Sequence, residues 1–145
     1  PFYPHSECGG VYSPHVRLAR RVELPDLPLL PADCIDDAPL FAVLTVAAQD
    51  VGREGHFDPK LLREKVRTAL HLAAAHGHDA VVLGAFGCGY FRNPPDVVAE
   101  TFRDVLGGEF AGAFPARVFA LPDRCGRNLD AFASLFPMTT EDELE

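Results

Sequence analysis

The sequence predicts an α/β fold with parallel strands. Short apolar runs typical of buried strands alternate with segments in which apolar residues recur at helical spacing. The order is strand, helix, strand, helix, strand, helix, which favours parallel strands joined by right-handed crossovers. The chain has 145 residues, 48% of them hydrophobic, enough for one domain with a buried core. We therefore expect a single domain over residues 1–145 with a mostly parallel central sheet.

The first third of the chain contains two candidate strands. Residues 1–39 are rich in proline and irregular, and Gly10–Ser13 is predicted as an edge strand that Pro14 ends. The apolar run Leu40–Ala48 predicts a strand buried on both faces. Residues 49–57 are then expected to form a loop after the carboxyl end of this strand.

A helix and a second buried strand follow. Asp58 is typical of a helix N-cap, and Pro59 suits the first helical position. Apolar residues recur at helical spacing until Gly77, which fits a left-handed position at the helix end. The run Ala80–Ala85 then predicts a strand, and residues 84–93 a loop.

The last part of the chain repeats this alternation. Asn93 can cap a helix that has Pro94 in its first turn and ends at Gly107 and Gly108. Ala116–Leu121 predicts a further strand, and a last helix is expected near residues 129–136. The acidic tail 137–145 is expected to be frayed. In such a fold, ligands bind beyond the carboxyl ends of the strands, where loops 49–57, 84–93 and 122–128 would meet.

Charge and hydropathy exclude several functions. The formal net charge is −8, and such an acidic surface repels the phosphate backbone of nucleic acids. No run of 18 apolar residues could cross a membrane. The four cysteines form no C-x-x-C pair, and no secretory signal opens the chain. We therefore expect free thiols and a cytoplasmic location, or a nuclear one in a eukaryote.

The loop at residues 84–93 is the strongest candidate binding site. Gly84, Gly87 and Gly89 follow a buried strand, and Asn93, Pro94 and Pro95 come next. Glycines allow positive φ and a close approach of backbone to ligand, so the loop amides could hold a diphosphate. The spacing is neither that of the dinucleotide fingerprint nor that of a P-loop. A tight turn without a ligand would use the same glycines.

The side chains of this loop leave further alternatives open. Tyr90 and Phe91 could cover a sugar or a base, or pack back onto the sheet. Arg92 suits either a phosphate contact or a surface charge. His5, Cys8, His15 and Cys34 match no standard zinc spacing, so no metal site is predicted. The histidines His71, His76 and His78 are expected to face solvent.

The string "VVLGAFGCGYFRNPPDVVAETF", residues 81–102, resembles the signature of microbial-type poly(ADP-ribose) glycohydrolases, a macrodomain family. The segments "GVYSPHV" from Gly10, "HGHDAVVLG" from His76 and "RVFALPD" from Arg117 also resemble the family. In "TVAAQD", Gln49 and Asp50 depart from its "AAPN"-like turn. The resemblance covers most of residues 10–136. It implies a three-layer α/β/α sandwich that binds ADP-ribose.

The resemblance also implies roles for individual residues. The ligand would be held by the whole loop, formed by Gly84, Ala85, Phe86, Gly87, Cys88, Gly89, Tyr90, Phe91, Arg92 and Asn93. Residues 87–90 would line the diphosphate path, with Cys88 as a packing residue, and Phe91 would pack by the scissile ribose. Asp123, Asn128 and Phe132 lie where macrodomains contact adenine, although capping and packing are equally good roles for them.

The family's catalytic loop has no counterpart in the sequence. A run of glycines followed by Gln-Glu-Glu supplies the family's general acid, and the 145 residues contain no such string. The chain therefore resembles the C-terminal part of the domain, without a catalytic residue of its own. The resemblance implies an ADP-ribose-binding protein, and a poly(ADP-ribose) hydrolase if the glutamates belong to a longer polypeptide. The alternative is a non-catalytic reader of ADP-ribosylated macromolecules. Neither reading requires a cofactor.

Overall fold

The computed structural model describes residues 7–17, 40–121 and 126–137. Its strands are β1 (Gly10–Arg17), β2 (Leu40–Val46), β3 (Ala80–Leu83) and β4 (Ala116–Phe119). Its helices are α1 (Val51–Glu54), α2 (Pro59–Ala75), α3 (Pro95–Gly107) and α4 (Arg127–Ala133). The predicted alternation of strands and helices from residue 40 onward is confirmed. The predicted tail lies outside the described residues, except for Pro137.

Two compact units divide the chain, Val11–Thr45 in one and Pro1–Gly10 with Val46–Glu145 in the other. The prediction of a single domain stays a prediction. In the first unit, β1 pairs with β2. The expectation that Pro14 ends the first strand is wrong, because β1 continues through it to Arg17. Each strand of a two-stranded sheet has one unpaired edge, where a proline removes no bond between strands.

Strand β2 also differs from its prediction. It ends at Val46 rather than Ala48, and its residues are alternately exposed and half-buried. Leu40, Phe41 and Val43 all keep more than a third of their surface exposed. The prediction that this strand is buried on both faces is therefore wrong, since composition shows that a strand is apolar but not whether another layer covers it.

Strands β3 and β4 are parallel neighbours, which confirms the predicted parallel pairing for these two. Val82 pairs with Val118, and Leu83 with Phe119. Both strands end two residues before their predicted ends. The face that carries Val81, Leu83 and Phe119 packs on the core. The opposite face consists of small and apolar residues that are exposed, with Val82 74% and Val118 56% accessible. One side of this sheet is thus covered by helices, while on the other side the described residues leave an apolar surface exposed.

The core lies between this sheet and three helices. Its fully buried members on α2 are Leu62, Val66 and Leu70, and those on α3 include Val98 and Val105. Aromatic rings fill the space between α3, α4 and β4. Phe119 has ring centroids at 5.3 Å from Phe102, 5.0 Å from Phe132 and 4.5 Å from Phe136. This packing fixes the start of α3, which directly follows the glycine loop.

The start of α2 is confirmed as predicted. The Asp58 side chain accepts a hydrogen bond from Lys60 N, and Pro59 begins the helix. Gly77 has a φ of 79°, the left-handed conformation expected at the helix end. On the same helix, Lys65 is fully buried and its Nζ donates to the carbonyl of Glu7. Burial lowers the pKa of Lys65, because the charged ammonium loses hydration.

Within the described ranges, no helix is both long and apolar enough to cross a membrane.

A matched pair of valine substitutions tests where the core lies. Val98→Ala should lower the free energy of unfolding by about 2 kcal/mol, because it leaves a cavity at a residue with 0% exposure. Val82→Ala removes the same atoms from an exposed face and should change the free energy of unfolding by about 0.5 kcal/mol or less. Urea unfolding followed by circular dichroism measures both. Equal losses for the two variants would contradict this assignment of the core.

Candidate functional site

Two loops meet beyond the carboxyl ends of the strands, as the sequence predicts. The backbone N–H of Gly52 donates to the carbonyl of Phe91 at 3.3 Å. The side chain of Asn93 donates to the carbonyl of Gln49 at 2.7 Å. Of the third predicted loop, residues 122–125 lie outside the described residues. The site is therefore built from the loop at 47–57 and the glycine loop, residues 84–93.

The first of these loops is not wholly irregular, which corrects its prediction. Val51–Glu54 forms the single turn of α1, which the sequence analysis assigned to a loop. The Asp50 side chain accepts from Arg53 N at 3.1 Å, and Gly55 ends the turn with a φ of 73°. Asp50 and Gly55 are the signals that periodicity analysis missed, because a single turn is too short for a repeat.

The glycine loop folds back on itself through backbone hydrogen bonds. Cys88 N donates to Ala85 O at 3.0 Å, Arg92 N to Gly89 O at 3.1 Å, and Asn93 N to Gly87 O at 3.0 Å. Gly87 has a φ of 74°, and Arg92 has a φ of 59°, an unusual value for a residue with a side chain. The loop thus adopts a defined conformation in which the N–H groups of Cys88, Arg92 and Asn93 are used internally.

Other backbone donors of the loop remain available. Within the described part of the chain, the N–H groups of Gly87, Gly89 and Tyr90 donate to no protein acceptor. The sequence predicts that the loop amides in general could bind an anion, but Cys88, Arg92 and Asn93 use their N–H groups inside the loop. Successive unpaired amides in a turn are the kind of donor that binds oxyanions. Chemically, the loop can offer a phosphate a few uncharged donors.

The aromatic side chains of the loop differ in exposure. Tyr90 is 88% exposed, whereas Phe91 is half-buried. Their rings meet edge to face, with centroids 5.8 Å apart. Of the alternatives left open by the sequence, packing onto the core therefore does not apply to Tyr90. The exposed ring of Tyr90 is accessible for an apolar contact with a ligand of the loop.

Arg92 lies exposed beside the turn of α1. A Cβ placed on Gly52 would lie 3.4 Å from Arg92 Cδ, so the arginine side chain runs along the glycine backbone. Its guanidinium is accessible to an anion and to water alike, so the structure leaves both interpretations of Arg92 open.

Cys88 has the properties of a packing residue. It is half-buried against the core, and its Sγ lies 3.7 Å from the carbonyl of Phe86. Burial raises the pKa of the thiol to about 12, so the sulfur carries no charge at neutral pH. A protonated thiol is a poor nucleophile, in agreement with the role that the family resemblance implies for it.

The remaining members of the predicted site lie at the base of the loop. Ala85 and Phe86 are half-buried and pack against the core, and Gly84 lies at the exposed end of β3. Asn93 is 1% exposed and does not cap α3, which corrects the prediction. Pro94 occupies the N-cap position, and the Asn93 amide turns instead towards Gln49 and Gly87.

Gln49 is a residue of this site that the sequence analysis noted only as a departure from the family's turn, without predicting a role for it. It is 1% exposed, and its carboxamide forms two hydrogen bonds with the backbone of Asp58, at 2.8 Å and 2.9 Å. The only signal in the sequence is its place directly after an apolar strand. A glutamine there is usually expected to be exposed.

The three residues predicted to contact adenine have different environments. Asp123 lies outside the described residues. Asn128 is half-buried on α4, and Phe132 is 1% exposed within the aromatic core. A role of Asp123, Asn128 and Phe132 in ligand binding stays a prediction.

No metal centre is found among the residues described. Across residues 7–17, 40–121 and 126–137, no group of three or more His, Cys, Asp or Glu side chains could hold an ion. His71 and His76 are exposed, as expected, and His78 is half-buried. Of the zinc candidates, His5 and Cys34 lie outside the described residues. Cys8 and Cys88 are free thiols.

Comparison with solved structures identifies relatives of known activity. The chain is 36% identical to the poly(ADP-ribose) glycohydrolase of Thermomonospora curvata, with a TM-score of 0.72, over 86% of this chain and 46% of that one. It is 34% identical to the Deinococcus radiodurans enzyme in complex with ADP-ribose, with a TM-score of 0.70, over 87% of this chain and 51% of that one. The T. curvata enzyme is also known bound to the inhibitor ADP-HPD.

The predicted resemblance to microbial poly(ADP-ribose) glycohydrolases is confirmed by these structures. No protein-family model matches the chain, and no curated protein matches it. The chain spans about half the length of the solved relatives.

A pair of glycine substitutions tests the geometry of the loop. Gly87→Ala should lower the free energy of unfolding by at least about 2 kcal/mol. Its Cβ would lie 2.5 Å from Asn93 Nδ2 and 2.6 Å from Ala48 Cβ, at a φ of 74°. Gly89→Ala has no atom within 4 Å of the new Cβ and should change stability by about 0.5 kcal/mol or less. Urea unfolding measures the free energy of unfolding of both variants. Equal values for the two would contradict the tight approach at Gly87.

Proposed function

Because the chain resembles about half of a microbial poly(ADP-ribose) glycohydrolase, we propose that it binds ADP-ribose through the glycine loop. The observation that carries the proposal is that the amides of Gly87, Gly89 and Tyr90 have no acceptor among the described residues, in a loop that carries the family's motif. Uncharged donors suit a diphosphate in a protein with a net charge of −8, because they bind an anion without a basic surface. The D. radiodurans enzyme, similar over most of this chain, binds ADP-ribose.

The parts of the ligand would then occupy different parts of the site. The diphosphate would lie along residues 87–90, and the half-buried ring of Phe91 would pack by the distal ribose. The exposed guanidinium of Arg92 adds an accessible positive charge beside these amides. Adenine would extend towards Asn128.

We also propose that the complete fold is a macrodomain-like three-layer sandwich. Helices α2, α3 and α4 cover one face of the β3–β4 sheet. The opposite face, with Val82 and Val118, is apolar and exposed, and parallel sheets are normally covered on both faces. A second helical layer on that face would complete the sandwich.

Hydrolysis of the ribose–ribose O-glycosidic bond is proposed for a complete protein that also supplies a general acid. A glutamic acid outside this chain would protonate the leaving ribose oxygen. Water would then attack the anomeric carbon of an oxocarbenium-like centre. The residues of this chain would hold the diphosphate and orient the ribose, and none of them would transfer the proton.

A non-catalytic reader of ADP-ribosylated macromolecules is the second candidate. A reader needs no general acid, and the 145 residues contain no run of glycines followed by Gln-Glu-Glu. Enzyme and reader share the binding site and differ only in turnover. A cytoplasmic location is proposed for both.

Calorimetry with ADP-ribose tests the shared binding step. We expect saturable binding with one ligand for each chain. AMP, which lacks the second phosphate and the distal ribose, should bind more weakly. Absence of measurable heat with ADP-ribose would reject both candidates for this chain. Release of ADP-ribose from poly(ADP-ribose) by the complete protein then separates the enzyme from the reader.

The role of Phe91 is tested by truncation. Phe91→Ala should weaken ADP-ribose binding about tenfold or more, because the ring would no longer cover the ribose. Phe110→Ala is the matched control, since Phe110 is buried in the core and away from the loop. At a temperature where both variants stay folded, the control should keep the affinity of the parent chain. Equal affinity of Phe91→Ala and the parent would assign Phe91 to packing alone.

A further inference from the structure

Two buried carboxamides connect the glycine loop to the helix that precedes it in the sequence. We propose that Gln49 and Asn93 are positioning residues, which hold the loop amides in their ligand-binding arrangement without contacting the ligand. The inference rests on the proposed function for its binding consequence only. Its structural part concerns the coupling between the two loops and stands on the contacts described below.

Gln49 binds the start of α2 through both ends of its carboxamide. Its Nε2 donates to Asp58 O at 2.8 Å, and its Oε1 accepts from Asp58 N at 2.9 Å. This double contact fixes the orientation of the amide and satisfies both of its polar ends in a site with 1% exposure. The backbone of Gln49 is thereby held against a helix that the core anchors through Leu62 and Val66.

Asn93 carries the same constraint into the glycine loop. Its Nδ2 donates to Gln49 O at 2.7 Å and to Gly87 O at 3.0 Å. Gly87 O also accepts from the backbone N–H of Asn93 at 3.0 Å. The side-chain amide of Asn93 therefore connects the backbone of Gln49, in the loop at 47–57, to the backbone of Gly87, in the glycine loop.

The environment of Asn93 Oδ1 indicates that this side chain acts as a hydrogen-bond donor. The oxygen is buried, and within the described residues it accepts no hydrogen bond. A buried acceptor without a partner costs free energy, so the stabilising hydrogen bonds of this side chain come from its donor end. Two carbonyl oxygens face that donor, and an isosteric carboxylate in its place would be repelled by both.

The coupling would act through the backbone of Gln49, because its side chain hydrogen-bonds to Asp58 and, within the described residues, not to the glycine loop. Tilting the backbone of Gln49 would move the carbonyl that Asn93 holds. Moving Asn93 would release Gly87 O and, with it, the turn that directs the amides of Gly87, Gly89 and Tyr90. Pre-organised donors bind more tightly than mobile ones, because the ligand does not have to order them.

Hydrogen–deuterium exchange of the 145-residue chain without ligand tests the coupling. Asn93→Asp and Gln49→Glu keep the side-chain shape but remove the donated hydrogen bonds. Each should speed exchange at least about tenfold in the peptides covering residues 49–58 and 84–93. Thr101→Val is the control, because it removes a buried hydrogen bond to Val97 O inside α3. It should leave both loops within about twofold of the parent.

The effect of Gln49→Glu on residues 84–93 is the discriminating result. A purely local role would raise exchange near Asp58 alone, and general destabilisation would raise it evenly along the chain. Either outcome, or unchanged loops in Asn93→Asp, would overturn the inference.

Calorimetry adds the functional part of the test. If the parent chain binds ADP-ribose, both variants should bind it about tenfold or more weakly, while Thr101→Val keeps the affinity of the parent. Unchanged affinity in Asn93→Asp and Gln49→Glu would overturn the positioning role. If the parent chain binds no ADP-ribose, the proposed function fails, and the exchange experiment still decides whether the two carboxamides couple the loops.

Discussion

The backbone at Gly87 has no space for a side chain, and the arrangement of the whole site depends on that close approach. A Cβ there would overlap with Ala48 Cβ and Asn93 Nδ2. The approach brings the loop that follows β3 against the residues that follow β2. It also directs the carbonyl of Gly87 towards Asn93, and the amides of Gly87, Gly89 and Tyr90 have no acceptor among the described residues. A larger residue would separate the loops and change the direction of these donors.

The glycine-rich loop lies in the sequence between two well-anchored elements, β3 and α3. Before the loop, β3 is paired with β4. After it, Pro94 at the N-cap and Pro95 at the first turn restrict the backbone at the start of α3, whose residues Val98 and Ala99 are fully buried. The glycines therefore supply permitted conformations, while the proline pair and the core select one of them. Glycines and prolines follow each other because the glycines permit the positive φ angles of the loop and the prolines restrict the backbone where the helix begins.

Local signals in the sequence predicted most of the architecture. Asp58 with Pro59, and Gly77, marked the ends of α2 because capping depends on residues within one turn. The glycine motif located the loop for the same reason. The failures concern information that is not local. Pro14 was expected to end β1, but whether a proline disrupts a strand depends on which edge is paired. Exposure of β2 depends on which other element covers it, and composition does not show this.

The site itself was predicted only in part. The motif at residues 84–93 could be recognised from the sequence, but the partner of Asn93 could not, because Gln49 lies 44 residues away. Gln49 was missed because a polar residue after a strand is normally solvated, and only the packed structure shows that Asp58 satisfies its amide. Nuclear magnetic resonance of the isotopically labelled chain, titrated with ADP-ribose, tests the central claim most directly. The account predicts large, saturable shifts for the amide signals of Gly87, Gly89 and Tyr90. Shifts confined to other parts of the chain, or none at all, would contradict it.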